Sequence, residues 1–392
     1  MRLLWTNHAL DRPAGTEMVT CNWVRALTAR GHEIDVFTSH PGGLAEALRS
    51  EGIKVVASLK ECGGGYDLIH GQHLIETWLA MERWPATPAL FYCHGDPKVE
   101  WMETPPRHPG LRGRVITTCA NLADYLHRRG FVNDPVAAIL PNAWNENRFR
   151  VQRPMPEQLR SAVFFHNTLT IRAPEWLLAI EVCARLGIAL VGRGAGFGER
   201  MTEPEVELPG YDLVFSSGRC ALEAIVCGCA VVILALERCG GLVGEADLQA
   251  LQASNFTRGR AAIPLEADAL ITSMIAFDPA ASARLTQTVR QTQSLSQVTL
   301  QLEEIHRLMA QSTPDRAPLT ETPVELLWEQ HLRWRQEARQ SRTDLGRLRR
   351  DLAKTEQSNA QLRQSLSRVK TFLKKRWWLK LFAAKLIKKL DQ

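Results

Sequence analysis

Apolar and polar positions change period repeatedly along the first 145 residues. "RLLWTNH" is a short apolar run ending in polar residues, and "DRPAGTE" after it carries the Pro and Gly of a turn. A 3.6-residue period then places Val19, Trp23, Val24 and Leu27 on one helix side, and Gly31 in "RGHEIDVFTS" stops that helix before a new strand. "YDLIHGQH", "ALFYCHGDP" and "RVITTCANLADYLHRRG" repeat strand, polar turn and helix. Alternation at this rhythm predicts a parallel sheet covered by helices. "ILPNAWNENRF" ends a strand in Pro and Asn, and a polar stretch to Gln158 marks a domain boundary.

The rhythm then restarts. "SAVFFHN" reads as a strand and "APEWLLAIEVCARLG" as a helix, with Pro174 near its start and Gly187 at its end. "IALVGRGAGFG" is a strand running into glycines, and "VFSSGRCALEAIVCGCAVVIL" is strand, turn, helix and strand. "ERCGGLVGEADL" reads as a loop, followed by helices through Gln311 and the Pro-rich linker "STPDRAPLTETP". Beyond it Leu345, Leu352, Asn359, Leu366 and Leu373 recur every seven residues, with Leu348, Thr355, Leu362 and Val369 at the second seam position. This is a coiled-coil pattern with one register-setting Asn, and a single solvated helix stays open beside it. The division that follows is 1–150, 158–311, a linker 312–323, a helical or coiled-coil segment 324–368, and a basic amphipathic helix 369–392.

Charge sharpens the picture of the tail. The 392-residue chain carries a formal +6, yet residues 368–392 hold nine Lys/Arg against one Asp, and the other 367 residues hold 39 basic against 41 acidic groups. Phe372, Leu379, Phe382, Ala383, Leu386 and Leu390 share one helical face while Lys370, Lys374, Lys385, Lys388 and Lys389 gather on another. A basic amphipathic helix suits an anionic bilayer surface, whereas a continuous apolar face has no use against nucleic-acid phosphates. We therefore expect no nucleic-acid partner. No apolar run reaches the ~18 residues of a membrane span. Nine scattered cysteines and an opening that does not read as a secretory signal predict reduced thiols and a cytoplasmic protein, peripheral at the inner face of the membrane.

Parallel sheets bind ligands beyond the carboxyl ends of their strands. The polar residues there are Asn7 and His8, the Pro-Ala-Gly-Thr turn with Gly15 and Thr16, His70 to His73, and His94-Gly95; in the second half, His166 to Arg172, Gly192 to Gly198, and Ser216 to Arg219. His70, His73 and His94 lack the ligand spacing of a zinc site, and no Asp-x-Asp occurs to hold a metal on a diphosphate. Cys227 and Cys229 read as small core residues. Glu223, the one acid in an otherwise apolar stretch, is either a helix-terminal carboxylate or a ligand contact.

The ordered set "MRLLWTNHALDRPAGTEMVTCNWVRALTARGHEIDVFTS", "LFYCHGD", "VITTCANLADYLHRRGF…ILPNAWNENRF" and "LEA…CG…VV" resembles the GT-B glycosyltransferases related to family 4, over roughly residues 1–245. The resemblance implies an α/β fold class, with two Rossmann-like doubly wound domains facing a cleft and a C-terminal α-helical extension. It implies a retaining transfer, without metal or cofactor, of a hexosyl unit from a nucleotide diphosphate-sugar, and the tail, by holding the enzyme at the bilayer, points to a glycan or lipid-linked acceptor in surface polysaccharide biosynthesis. By the same resemblance, Glu223 holds the nucleotide ribose, Arg172 stands at the place of a diphosphate-binding lysine, and His94 stands at the active-site histidine. The expected catalytic residues are His94 and Arg172. The expected donor-binding set is Glu223, Arg172, Asn167, Gly192, Gly194, Ser217, Gly218 and Arg219, with Gly15, Thr16 and His70 on the acceptor or phosphate side. Asn167 replaces the family's arginine, and Phe215 stands where the sugar-contacting glutamate belongs. These departures keep open a non-catalytic scaffold that binds a partner through its coiled coil; the alternative enzyme is a nucleotide-sugar epimerase of similar double-domain fold, and the heptads allow a coiled-coil homodimer.

Overall fold

Nine consecutive residues of alternating face, Arg2–Leu10, form β1 of the computed structural model, which describes residues 1–11, 13, 15–94, 103–167, 169–235 and 238–313. Gly95, the linker from Pro314, the heptads of 324–368 and the basic helix 369–392 lie outside the described residues.

The chain after β1 runs through α1 (Gly15–Ala29), β2 (Glu33–Pro41), α2 (Gly43–Ser50), β3 (Lys54–Val56), β4 (Leu68–Gly71), α3 (Leu74–Arg83), β5 (Ala89–Cys93), β6 (Val115–Thr117), α4 (Ala120–Arg128) and β7 (Ala138–Ile139). The seven strands make one parallel sheet in the order β3-β2-β1-β4-β5-β6-β7. Strand order reverses between β1 and β4, so the crevice beyond their carboxyl ends is the natural ligand position. The apolar stripe of α1 buries Trp23, Val24 and Leu27 against Trp5, Leu3 and Val36 of the sheet, as its period predicts.

The second half supplies β8 (Ser161–Phe165), α5 (Pro174–Leu186), β9 (Ala189–Arg193), α6 (Pro204–Glu207), β10 (Leu213–Ser216), α7 (Gly218–Cys227), β11 (Ala230–Ala235), β12 (Arg238–Leu242), α8 (Leu248–Ala253), α9 (Ala267–Ile275), α10 (Pro279–Thr292) and α11 (Leu295–Gln311). Its sheet has the order β12-β11-β10-β8-β9, and its switch point lies between β8 and β10. β12 corrects the loop expected at "ERCGGLVGEADL". Its glycine pair conceals an edge strand that runs antiparallel to β11 across a bulge between Ile233 and Leu234.

Two chain crossings join the sheets side by side. Trp144 donates its backbone N–H to Gln293 O (3.1 Å), and Leu295 returns one to Trp144 O (2.8 Å). The Glu146 carboxylate accepts from the backbone N–H groups of Leu295 (2.9 Å) and Ser296 (3.0 Å), placing negative charge on the N-terminus of α11. The division at 311 gives α11 to the second domain, yet its buried Leu295, Val298 and Leu302 belong to the core of the first sheet. Arg114, at the foot of β6, fixes the far end of α11 by donating to Met309 O (2.9 Å) and Ser312 O (2.6 Å).

Candidate functional site

The first sheet presents a histidine-rich edge. His94 follows β5, is half-buried, and stacks on Tyr92 with ring centroids 5.2 Å apart. Its Nε2 is enclosed without a hydrogen-bond partner among the described residues. Burial, then the neighbouring His73 and Arg219, lower its pKa to about 3, so the imidazole is neutral at physiological pH. His73 caps the edge where β4 gives way to α3. Its Nδ1 accepts from the backbone N–H of His8 (3.1 Å), its Nε2 lies 3.7 Å from Glu103 Oε1, and burial lowers its pKa to about 4. His8 pairs through Nδ1 with Glu76 Oε1 (2.9 Å), to which Ser39 also donates (2.5 Å). Burial pushes the Glu76 carboxyl up, but the bonds from His8 and Ser39 outweigh it and hold the group below the usual carboxylate range.

The second sheet answers with the start of α7. Ser216 ends β10, its hydroxyl tied to Phe165 O (2.8 Å). Ser217 is the extended residue before the helix and leaves its side chain uncommitted as a cap, while Gly218 turns the chain at φ +61° and donates to Phe256 O (2.7 Å). One turn on, Arg219 Nε donates to Glu223 Oε1 at 2.9 Å. Glu223 is only 6% exposed, and a charge so enclosed needs such a partner. The Arg219 charge bears on His94, so the start of α7 lies within electrostatic reach of the end of β5.

The expected site residues divide. Ser217, Gly218, Arg219 and Glu223 stand together at the start of α7, and the Arg219 charge bears on His94. Asn167 and Arg172 lie on the exposed loop between β8 and α5, where the Arg172 guanidinium has no protein partner among the described residues and its backbone N–H meets Thr170 Oγ1 at 3.3 Å. Gly15 and Thr16 open α1 at the carboxyl edge of β1, with Gly15 exposed and Thr16 Oγ1 donating to Glu17 Oε2 (2.9 Å). His70 does not join them. It is fully buried, stacked on Trp5 (3.7 Å between centroids) and bonded through Nδ1 to His306 Nε2 at 2.8 Å. Its side chain alternates to the core face, toward α11, while the next polar side chains reach the edge.

Gly192 and Gly194 also serve the protein's own packing. A Cβ on Gly194, at φ +132°, would sit 1.7 Å from His166 O, and one on Gly192 would sit 2.4 Å from the Phe197 ring. The loop after β8 therefore lies directly over the end of β9. Phe215 is a fully buried member of β10, paired with Phe164 and Val232, so no sugar contact comes from that position. Sequence reasoning passed over the Glu76 and Glu103 carboxylates and the Arg219–Glu223 bond. Only the four-residue spacing of Arg219 and Glu223 on a helix signalled the last.

Three solved structures have a similar overall fold. The Anabaena protein HepE in complex with UDP and glucose superposes with a TM-score of 0.56 at 14% identity, covering 78% of this chain and 98% of that one. Sucrose-phosphate synthase from Thermosynechococcus elongatus gives 0.52 at 14% identity, covering 79% and 100%. An O-GlcNAc transferase variant from Thermobaculum terrenum gives 0.50 at 15% identity, covering 79% and 67%. This is the GT-B glycosyltransferase fold. No family model matches the sequence, and no curated protein is significantly similar to it. Among the described residues no group of three or more His, Cys, Asp or Glu is placed to hold a metal ion, and no helix is long and apolar enough to cross a membrane.

Proposed function

We propose that the protein is a glycosyltransferase that moves a hexosyl unit from a nucleoside diphosphate sugar to a hydroxyl of a glycan or lipid-linked acceptor, with retention and without metal. The observation that supports this reading is the Arg219–Glu223 pair at the start of α7 of a GT-B fold, with the Arg219 charge reaching His94 at the end of β5. Glu223 accepts the ribose hydroxyls. Arg172 and Arg219 neutralise the diphosphate as it departs, and the α7 N-terminus adds its dipole. His94, kept neutral, hydrogen-bonds the sugar. The acceptor belongs to a growing surface polysaccharide. The segment 369–392 holds the enzyme on the anionic inner face of the membrane, and 324–368 pairs two copies as a coiled coil.

A panel of UDP-, GDP- and ADP-sugars, tested for thermal stabilisation and nucleotide release, decides this. UDP-glucose stands first in it, since HepE has been seen with UDP-glucose. Stabilisation by one donor, with acceptor-dependent nucleotide release that EDTA leaves intact, is the expected result. Silence across the panel would remove the donor reading, and activity abolished by EDTA and restored by magnesium would remove the metal-free one.

A further inference from the structure

Arg219 commits one nitrogen to Glu223. Its Nε makes the 2.9 Å bond, and Nη1 and Nη2 take no protein partner among the described residues, although the side chain is only 20% exposed. Glu223 likewise uses Oε1 alone, and its Oε2 accepts no hydrogen bond among the described residues, on a residue 94% removed from solvent. The pair is thus a half-used donor fork against a half-used carboxylate, enclosed at the start of α7. Asn167, across the switch point on the loop after β8, brings no positive charge, and Arg172 is out in solvent. Arg219 is the cation held beside Glu223 at the start of α7.

We propose that Arg219 changes partner when a nucleoside diphosphate enters: the ribose hydroxyls take over Glu223, and the diphosphate takes over Arg219. This deepens the donor reading above and rests on it. A partner exchange of this kind has a thermodynamic signature. A nucleoside alone must compete with Arg219 for Glu223 and leaves the guanidinium unpaired. Pyrophosphate alone draws Arg219 away and leaves an enclosed carboxylate uncompensated. Only a molecule carrying both groups satisfies both residues at once, with charge-assisted hydrogen bonds on each side. The two halves of the ligand therefore favour each other through the pair, and the cleft selects the intact nucleoside diphosphate over either half. Reciprocity requires the effect to run equally in both directions.

Calorimetric titration of the full-length protein tests this with uridine, pyrophosphate and UDP, repeated with the guanosine and adenosine sets. In the wild type, saturating pyrophosphate should tighten nucleoside binding about fivefold or more, the lower end of ordinary site coupling. Arg219→Met should weaken diphosphate binding about tenfold or more, as expected for loss of a charged contact, while nucleoside binding stays equal or tightens. Glu223→Gln should weaken nucleoside binding, while pyrophosphate binding stays equal or tightens because the guanidinium no longer has a competing carboxylate. If nucleoside and diphosphate weaken together in Arg219→Met, the arginine merely positions Glu223 and the exchange is wrong. Nucleoside affinity indifferent to pyrophosphate in the wild type overturns it without any variant. A wild type that binds none of these ligands ends the donor reading itself, whereas one that binds UDP equally well as Arg219→Met ends the exchange alone.

Discussion

Glu223 and His94 show how one side chain's surroundings decide its chemistry. Glu223 sits in a helix buried from Ala221 to Cys227, and its carboxylate is bonded to Arg219 one turn before it. Glu223→Ala should weaken nucleotide binding by ~1.5–3 kcal/mol for each charged hydrogen bond lost, with the melting transition retained. Unchanged affinity in a folded variant would remove Glu223 from the site. Arg172 is the opposite case, an exposed guanidinium at a helix start. If it meets the diphosphate only as charge builds on the leaving group, Arg172→Ala should lower kcat far more than it weakens UDP binding. Equal losses in steady-state turnover and in equilibrium binding would give it a ground-state role instead.

Among the described helices of the second half, α11 is the one whose buried residues join the core of the first sheet. It returns to the first sheet, buries Leu295, Val298 and Leu302 there, and bonds His306 to His70 of β4. It is anchored at one end by Glu146 and at the other by Arg114. Removing a buried leucine leaves a cavity as well as losing transfer energy, so Leu302→Ala should cost ~2–5 kcal/mol in urea unfolding. An exposed site on the same helix, Leu300→Ala, should change little, because that side chain is half in solvent already. Equal effects at both would mean that α11 is not a structural member of the first core.

For the molecule as a whole, pH is the revealing variable. Burial holds His73 and His166 neutral with pKa values lowered to about 4, and His94 and His306 lowered to about 3. The unfolded chain binds protons on these groups from about pH 6.5 downward, before the folded chain does. Stability is therefore complete above pH 6.5 and declines as pH falls toward 4, on the order of 1–2 kcal/mol at pH 5 for each fully enclosed histidine such as His73. Glu76 and Glu303, both held below the usual carboxylate range, add loss in the same direction at still lower pH. The urea midpoint measured at pH 7.5 should exceed that at pH 5, and a flat profile would mean that these imidazoles open to water. The membrane reading is tested at this scale too. Truncation after Ser367 should release the protein from anionic vesicles with both sheets still folded, and Phe382→Ser with Leu386→Ser should weaken binding at constant charge. Vesicle binding indifferent to both changes would refute it.

Sequence alone determined the alternation of strand and helix, because burial on two faces and on one stripe leaves different periods. It also located the polar residues at strand ends, His94, Ser217 and Gly218 among them, while Glu223 stood out as the one acid in an apolar stretch. Local pattern does not say which distant element covers a face. His70 is polar and lies at a strand end, but its partner His306 is 236 residues away on a helix that crosses back from the second half. Only that crossing made it a core residue. The same holds for Gly194, which lets the loop after β8 pass over the end of β9, and for β12, whose glycines read as a loop until β11 offered an edge to pair with. The Arg219–Glu223 bond was local in spacing, yet its meaning depends on His94 standing across from it. Periodicity reports how a segment is buried; which charges, backbones and imidazoles meet is decided by long-range packing.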